Sequence, residues 1–354
     1  MDSKVLFILK KRHTYDLVTN LPYAMSSGLY NSAKFVSDML VENGINSKLV
    51  EVIDANSIDK EVYDFKPNYV FLEALWCPPT KFKELEKLHP KVKFIIRIHS
   101  EIPFLANEGV AIQWIKEYLA YKNVYISFNS KQTNSEFSKL LGNKKIIYLP
   151  NYYSLDNKKK KYHTPFGQLH VGCFGAIRPM KNQLLQAVCA MQFANEIGKT
   201  LHFHINSSRV EQRGDSVLKN LQNLFNNTPH KLIEHPWISH EKFLVLVKRM
   251  DLGMQVSMSE TFNIVSADLV NNEIPVVASK EVEWIFPLFK ASDTESDQIL
   301  SKLYWAYYGG KIGLHNLNKI GLSLSAFKSK CIWLDYLGKK DLIGQLKYWF
   351  SKIF

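Results

Sequence analysis

The residues with the clearest chemical promise lie between positions 257 and 277, in the run SMSETFNIVSADLVNNEIPVV. It carries two acids, Glu260 and Asp268, eight positions apart, and an apolar strand pattern follows them. On a helix, eight positions is slightly more than two turns, so both carboxylates are expected on one face. The N–H groups of residues 261–265 would point outward at the helix start, where a phosphate binds well. An acid that can hold ribose hydroxyls beside such a helix end is what a nucleotide-sugar site needs.

A second loop carries the complementary charge. Gly175-Ala-Ile-Arg178-Pro-Met-Lys181 follows an apolar strand pattern, and a glycine there lets the backbone turn tightly. Arg178 offers a fork for phosphate oxygens and Lys181 a point charge. Two surface cations near a helix start are the alternative, and the Glu260 segment tips the balance towards a phosphate site. In the first half of the chain, Gly28 precedes a helical pattern and can let backbone approach a ligand, a weak signal by itself. His99 and Glu101 end the most apolar strand, an address that faces ligands in open α/β sheets. His99 can hydrogen-bond a sugar hydroxyl or a leaving group and Glu101 can orient an acceptor, against the alternative of a structural histidine. Trp237, after another strand, reads as a core residue or as a platform for a base. No zinc motif, Walker loop or nucleophile elbow is present, and the histidines are scattered along the chain, so no metal is expected.

These residues need elements to position them. Strand patterns at 5–9, 47–53, 69–73, 92–98, 124–128 and 145–149 alternate with helical patterns at 32–43, 80–88, 107–121 and 131–141. A polar, lysine-rich stretch at 152–164 interrupts them and reads as a linker. The alternation then resumes, with strands at 169–174, 200–205, 231–234, 252–256 and 274–277 and helices at 182–197, 216–225, 239–249 and 263–271. From position 297 the chain is helical and aromatic. The fold class expected is α/β, with two tandem Rossmann-like domains facing across a cleft.

Composition narrows the function classes. With 46% hydrophobic and 22% charged residues, the 354-residue chain reads as globular and not as disordered. Four widely spaced cysteines fit reduced core thiols in a cytoplasmic protein better than a disulfide scaffold. No apolar run is long enough to span a membrane, and residues 5–9 read as a strand and not as a signal segment. The net charge of +12 is concentrated: residues 301–354 hold nine lysines against two aspartates, and residues 158–161 are four lysines in a row. A solvated surface explains that excess, and so does an acidic partner, either nucleic acid or an anionic membrane. The apolar face of residues 339–354 can lie on a membrane surface or pack back on the first domain.

Together, the tandem halves, the Gly175…Arg178…Lys181 loop and the Glu260…Asp268 pair resemble the GT-B glycosyltransferases, within them the retaining, glycogen-synthase-like branch. SETFNIVSADLVNNEIPVV is similar to that family's Glu-Gly-Phe-Gly and Glu-x7-Glu segment, and VGCFGAIRPMKNQ to its diphosphate loop. The chain also resembles glycosyltransferase-like proteins often encoded by tailed phages, which would place it in a host cytoplasm. The resemblance implies an N-terminal, acceptor-side domain over 1–156 and a C-terminal, nucleotide-sugar domain over 165–325. A helical segment over 326–354 would pack back on the first. By position, Glu260 would lie near the donor sugar and Asp268 on the ribose hydroxyls. The backbone of Asn263, Ile264 and Val265 would meet phosphate or sugar, Arg178 and Lys181 the diphosphate, and His99 the donor sugar, with Gly28 in the first-domain loop. Asp268 stands where the family has glutamate, and Thr261 and Asn263 stand where it has glycines.

The implied reaction is metal-free retaining transfer from a nucleotide sugar, expected to be a UDP-sugar, with no further cofactor. Three readings of the acceptor and role follow: a hydroxymethylated base in phage-type DNA, a glycan or lipid-linked acceptor, or a nucleotide-sugar binding module without catalysis.

Overall fold

A computed structural model of the chain describes residues 3–11, 28–155 and 165–339. It divides into two compact units, Met1–Ser154 with Ala326–Phe354 and Leu155–Ser325. Each is built around a six-stranded, all-parallel sheet. Among the described residues no helix is long and apolar enough to cross a membrane. All four cysteines are free thiols.

The first unit holds β1 (Lys4–Lys10), β2 (Asn46–Val52), β3 (Tyr69–Glu73), β4 (Lys93–Ile98), β5 (Val124–Phe128) and β6 (Ile146–Tyr148), in the order β2-β1-β3-β4-β5-β6. Strands covered by helices on both faces must be apolar on both, and Val5 to Leu9 and Phe94 to Ile98 are buried almost without exception. One face packs Leu6, Leu72, Phe94 and Phe128 under the crossover helices. The other packs Phe7, Phe71 and Ile95 against Trp333, which the last described helix, Asn316–Tyr336, brings back to this sheet. The strand order reverses between β1 and β3, and Glu73 is the last residue of β3.

The second unit holds β7 (Gln168–Gly172), β8 (Thr200–Asn206), β9 (Lys231–His235), β10 (Leu252–Gln255), β11 (Val276–Ser279) and β12 (Lys290–Ala291). Their order, β12-β11-β10-β7-β8-β9, is that of dinucleotide-binding Rossmann sheets. Its reversal lies between β7 and β10. The loops leaving those two strands, residues 173–182 and 256–263, stand at that reversal, where open α/β sheets bind ligands.

The strands expected from sequence are present with ends moved by a residue or two. The short edge strand β12 has too few residues to show a period and was not anticipated. Of the helical pattern at 107–121, Ala111–Tyr118 is helix, and a short helix over Ile102–Leu105 that was not anticipated precedes it. At 80–88, a 3-10 turn over Pro79–Lys81 precedes a helix over Phe82–Leu88. The largest correction concerns the two acids. The helix begins at Ile264 and ends at Asn271, so Asp268 lies on it while Glu260 stands in the loop before it. They do not share a helix face.

Candidate active site

Two clusters gather the residues singled out from sequence, one in each unit. In the second unit, the loop after β7 turns at Gly175, whose φ of +117° is a conformation that L side chains rarely adopt. Its N–H donates to Asn206 Oδ1 at the end of β8, 3.0 Å away. Gly214 supports the same loop from outside: a Cβ there would lie 2.0 Å from the Ile177 carbonyl oxygen, so only glycine lets the Gly214–Phe225 helix approach. The loop is tied to the one after β10 by a hydrogen bond from Met258 N–H to the Met180 carbonyl, 2.9 Å. Asn182, at φ +55°, donates through Nδ2 to the Val256 carbonyl at 3.2 Å. Gln186 Oε1 accepts from Val256 N–H at 2.8 Å.

The tied loops bring charge together. Lys181 Nζ is ion-paired with Glu260 Oε1, both side chains being mostly buried. Burial holds the Lys181 ammonium below its usual range, with Arg178 acting in the same direction and Glu260 opposing. Arg178 Nη1 lies 3.5 Å from Glu211 Oε2, and Arg209 Nη2 lies 2.7 Å from Glu211 Oε1. Burial also depresses the Arg178 guanidinium, against the pull of Glu260 and Glu211. The Arg209 guanidinium sits 4.6 Å from the ring centre of Trp237, which is half-buried and not the core residue favoured from sequence. Glu211 and Arg209 were not singled out, because they belong to a segment without periodicity and reach the site only through the parallel bridge of Ile177 to Val210.

The start of the Ile264–Asn271 helix is held by Asn263. At φ +58° its Oδ1 accepts from Ser266 N–H at 2.8 Å, and its Nδ2 donates to Gln255 Oε1 at 3.0 Å. One of the N–H groups at this helix start is thus already satisfied, a cap worth about 1 kcal/mol. The asparagine provides that cap with a left-handed backbone. Ile264 and Val265 form the first turn and remain half-exposed. The hydroxyls of Ser257 and Ser266 are buried with no hydrogen-bond partner. Asp268 is buried and its Oδ1 lies 2.9 Å from His240 Nε2. Burial disfavours the His240 cation, but the Asp268 hydrogen bond and charge outweigh it and raise its pKa. His240 was missed because nothing in the sequence links position 240 to position 268.

The histidines of this unit are not scattered. His170, His204 and His235 step diagonally across β7, β8 and β9. His170 Nδ1 lies 2.9 Å from His204 Nε2, and His204 Nδ1 lies 2.8 Å from His235 Nε2. Burial, then the neighbouring histidines, push the His204 pKa down to about 3. No group of described residues has a metal-holding arrangement.

In the first unit, Glu73 and Arg97, on neighbouring strands β3 and β4, are fully buried. Arg97 Nη1 donates to both Glu73 oxygens at 3.1 and 3.2 Å. His99 Nε2 donates to Glu73 Oε2 at 2.5 Å, and Asn129 Nδ2 approaches His99 Nδ1 at 3.4 Å. Because a carboxylate only accepts, the Nε2–H of His99 is committed to Glu73. Glu101 precedes the Ile102–Leu105 turn and its carboxylate accepts from Thr133 Oγ1. Gly28 is the first residue of the Gly28–Glu42 helix, a Cβ there would meet none of the described residues within 4 Å, and its preceding loop lies outside them. The lysine run at 158–161 and residues 340–354 also lie outside them.

No family model matches the chain, and no curated protein matches it. Solved structures do. Anabaena HepE, solved with UDP and glucose, is 11% identical over 96% of this chain and 100% of that one, with a TM-score of 0.64. An α,α-trehalose-phosphate synthase (UDP-forming) from Burkholderia vietnamiensis is 11% identical over 95% and 96%, with a TM-score of 0.63. A trehalose-6-phosphate synthase, studied for glycosyl transfer with retention, is 9% identical over 95% and 99%, with a TM-score of 0.67. At such identities the likeness speaks for architecture alone: the chain has the two-unit α/β fold of the GT-B glycosyltransferases.

Proposed function

We propose that the protein is a glycosyltransferase that moves a sugar from a nucleoside-diphosphate sugar, a UDP-sugar, to a hydroxyl acceptor with retention of configuration. The observation that carries this reading is the joined loop pair at the sheet reversal. Arg178 and Lys181, each held by an exchangeable carboxylate, stand there beside a capped helix start. A diphosphate would draw both cations from Glu211 and Glu260, and the helix end would add its partial positive charge. As the bond from sugar to phosphate breaks, that same set stabilises the leaving diphosphate. Glu260, released from Lys181, would meet donor-sugar hydroxyls. Asp268, one methylene shorter than glutamate and braced by His240, would receive the ribose hydroxyls. The backbone at Gly175 and at Asn263, Ile264 and Val265 would line the phosphate and sugar.

The structural relatives named above favour a glucose donor and a sugar or sugar-phosphate acceptor. The charge of +12 keeps a hydroxymethylated DNA base in view as the competing acceptor. The test incubates the protein with UDP-glucose and, separately, glucose 6-phosphate, a glycan and hydroxymethylated DNA. UDP release that depends on one acceptor, with the product in the donor's anomeric configuration, is expected. Binding of UDP-sugars without release of UDP in the presence of any acceptor would reduce the protein to a nucleotide-sugar binding module. An inverted product would overturn retention.

A further inference from the structure

The strand-start edge of the first sheet lies opposite the strand ends that carry Glu73, His99 and Asn129, and its charge has one sign. Five connections enter β2 to β6 there, from the helices Gly28–Glu42, Ser57–Phe65, Phe82–Leu88, Ala111–Tyr118 and Lys131–Leu141. They are residues 43–45, 66–68, 89–92, 119–123 and 142–145, and they hold five lysines and no acid. Lys4 and Lys93 open β1 and β4 at the same edge. Backbone hydrogen bonds set the strand starts side by side. Asn68 N–H donates to the Lys4 carbonyl at 2.8 Å, Lys93 N–H to the Asn68 carbonyl at 3.0 Å, Phe94 N–H to the Asn123 carbonyl at 3.0 Å and Ile126 N–H to the Lys145 carbonyl at 3.0 Å. Neighbouring strands lie about 4.8 Å apart, so the lysines step along the edge strand by strand. Two of them are structural. Lys4 Nζ donates to the Phe65 carbonyl at 3.0 Å, and Lys145 Nζ donates to the Leu119 and Tyr121 carbonyls, satisfying oxygens that helix ends leave over. Lys66, Lys91, Lys93, Lys122 and Lys144 have no such task. All five are exposed, and none is ion-paired among the described residues. Lys93 Nζ lies 5.5 and 5.8 Å from the ring centres of Tyr69 and Tyr125, which prop it at the edge. The corresponding connections of the second unit are mixed, with Lys199, Lys248 and Arg249 against Asp251 and Glu273.

The helices that end at this edge also expose apolar side chains in their last turns. Leu88 is 52% and Leu140 72% exposed, and Val41 and Tyr63 are exposed as well. Charges within those turns nearly cancel, with Glu42, Asp64, Glu86 and Glu117 against Lys87, Lys116 and Lys139, so the excess comes from the connections. Lysines interspersed with aliphatic side chains suit the boundary between the headgroups and acyl chains of an anionic bilayer. A nucleic-acid backbone would meet the lysines but leave Leu88 and Leu140 in water. The six residues of β4 span about 20 Å, so a base of DNA held at this edge would not reach the strand ends. We propose that the strand-start edge of the first unit, around Lys66, Lys91, Lys93, Lys122 and Lys144, is a docking surface for an anionic lipid bilayer. Docking does not depend on the transfer reading, because none of these residues lies in either cluster of the candidate site.

The experiment sediments the full chain with vesicles of phosphatidylcholine, alone or mixed with phosphatidylglycerol. The protein should partition to the mixed vesicles and not to the neutral ones, and less so as salt rises. A variant combining Lys66→Gln, Lys91→Gln, Lys93→Gln, Lys122→Gln and Lys144→Gln should lower that partition by about 100-fold or more, since one lysine near an anionic surface contributes about fivefold. Leu88→Ser with Leu140→Ser should lower it by about tenfold and leave its salt dependence unchanged. Melting temperatures of both variants should stay near that of the wild type, because the replaced side chains are exposed. Should Lys93→Gln disturb Tyr69 and Tyr125, the variant with the other four replacements carries the same test. No partition to the mixed vesicles, equal partition to the two kinds, or undiminished partition in the lysine variant overturns the proposal. Salt-dependent binding to duplex DNA that is lost in the lysine variant, with no binding to either vesicle, overturns it in favour of a nucleic acid.

Discussion

The charged groups of the two units are held in opposite ways. In the second unit Arg178, Lys181, Glu211 and Glu260 stand on loops at a sheet reversal, mostly buried with an edge to solvent, and satisfy one another chiefly as ion pairs. In the first unit Glu73 and Arg97 stand on adjacent strands inside the sheet, with no exposure and with most of their polar atoms taken by fixed partners. A loop ion pair with an edge to solvent can be exchanged for a ligand's charge, because the ligand replaces the charge that it displaces. A strand pair inside a protein cannot, because parting it leaves a charge without water. The first arrangement suits binding and release, and the second suits the fixing of a neighbouring side chain.

Breaking the buried pair should have the largest effect. Arg97→Met leaves the Glu73 carboxylate stranded and should cost about 3–5 kcal/mol in urea unfolding. Glu260→Gln, at the loop pair, keeps an acceptor for Lys181 and should cost less, about 2 kcal/mol. Equal losses at the two sites would erase the distinction.

Acid should act on the second unit through its histidine row. His204 titrates near 3 when folded, against about 6.5 in an unfolded chain. The unfolded state therefore takes up the proton first. The stability this histidine contributes is whole above about pH 6.5 and is lost as pH falls towards about 3, by up to about 1.4 kcal/mol per pH unit. Melting temperatures measured from pH 7.5 to 5 should fall, and His204→Asn should flatten that fall. A pH-independent melt in the wild-type protein would contradict the buried, neutral row.

Much of this was legible in the sequence, and the misses have physical causes. Residues 5–9, 69–73 and 124–128 showed themselves as strands because a sheet covered on both faces needs unbroken apolar runs. The nearness of Arg178, Lys181, Glu260 and Asn263 to one another was legible because they sit on short loops directly after such runs, where the chain order alone places them at a sheet edge. Glu73 was passed over because it ends an apolar strand and reads as the first solvated residue. Its partners Arg97 and His99 are 24 and 26 positions away. His240, Glu211 and the row of His170, His204 and His235 depend on which strands become neighbours, and no local pattern carries that. The placing of Glu260 and Asp268 on one helix face failed because eight-residue spacing is periodic only where a helix exists, and Asn263 starts the helix three residues after Glu260.

The smallest of the stability effects is expected at that asparagine. Asn263→Ala removes the cap and places a Cβ-bearing residue without a local polar partner at φ +58°. A loss of about 1–2 kcal/mol should follow. Asn263→Gly keeps the backbone and should lose only a few tenths of a kcal/mol at the cap, so the difference between the two variants isolates the backbone contribution. Equal losses would mean that the left-handed turn carries no strain.

Calorimetric titration of the second unit's site with UDP tests the central claim most directly, using the full chain and its Lys181→Ala variant. UDP should bind the wild-type protein, UMP should bind more weakly because it lacks the second phosphate, and Lys181→Ala should weaken UDP by about 100-fold or more, as expected when a desolvated charge-assisted contact worth about 3 kcal/mol is lost. No binding of any nucleoside diphosphate to the folded protein, or UDP affinity unchanged in Lys181→Ala, would contradict the account.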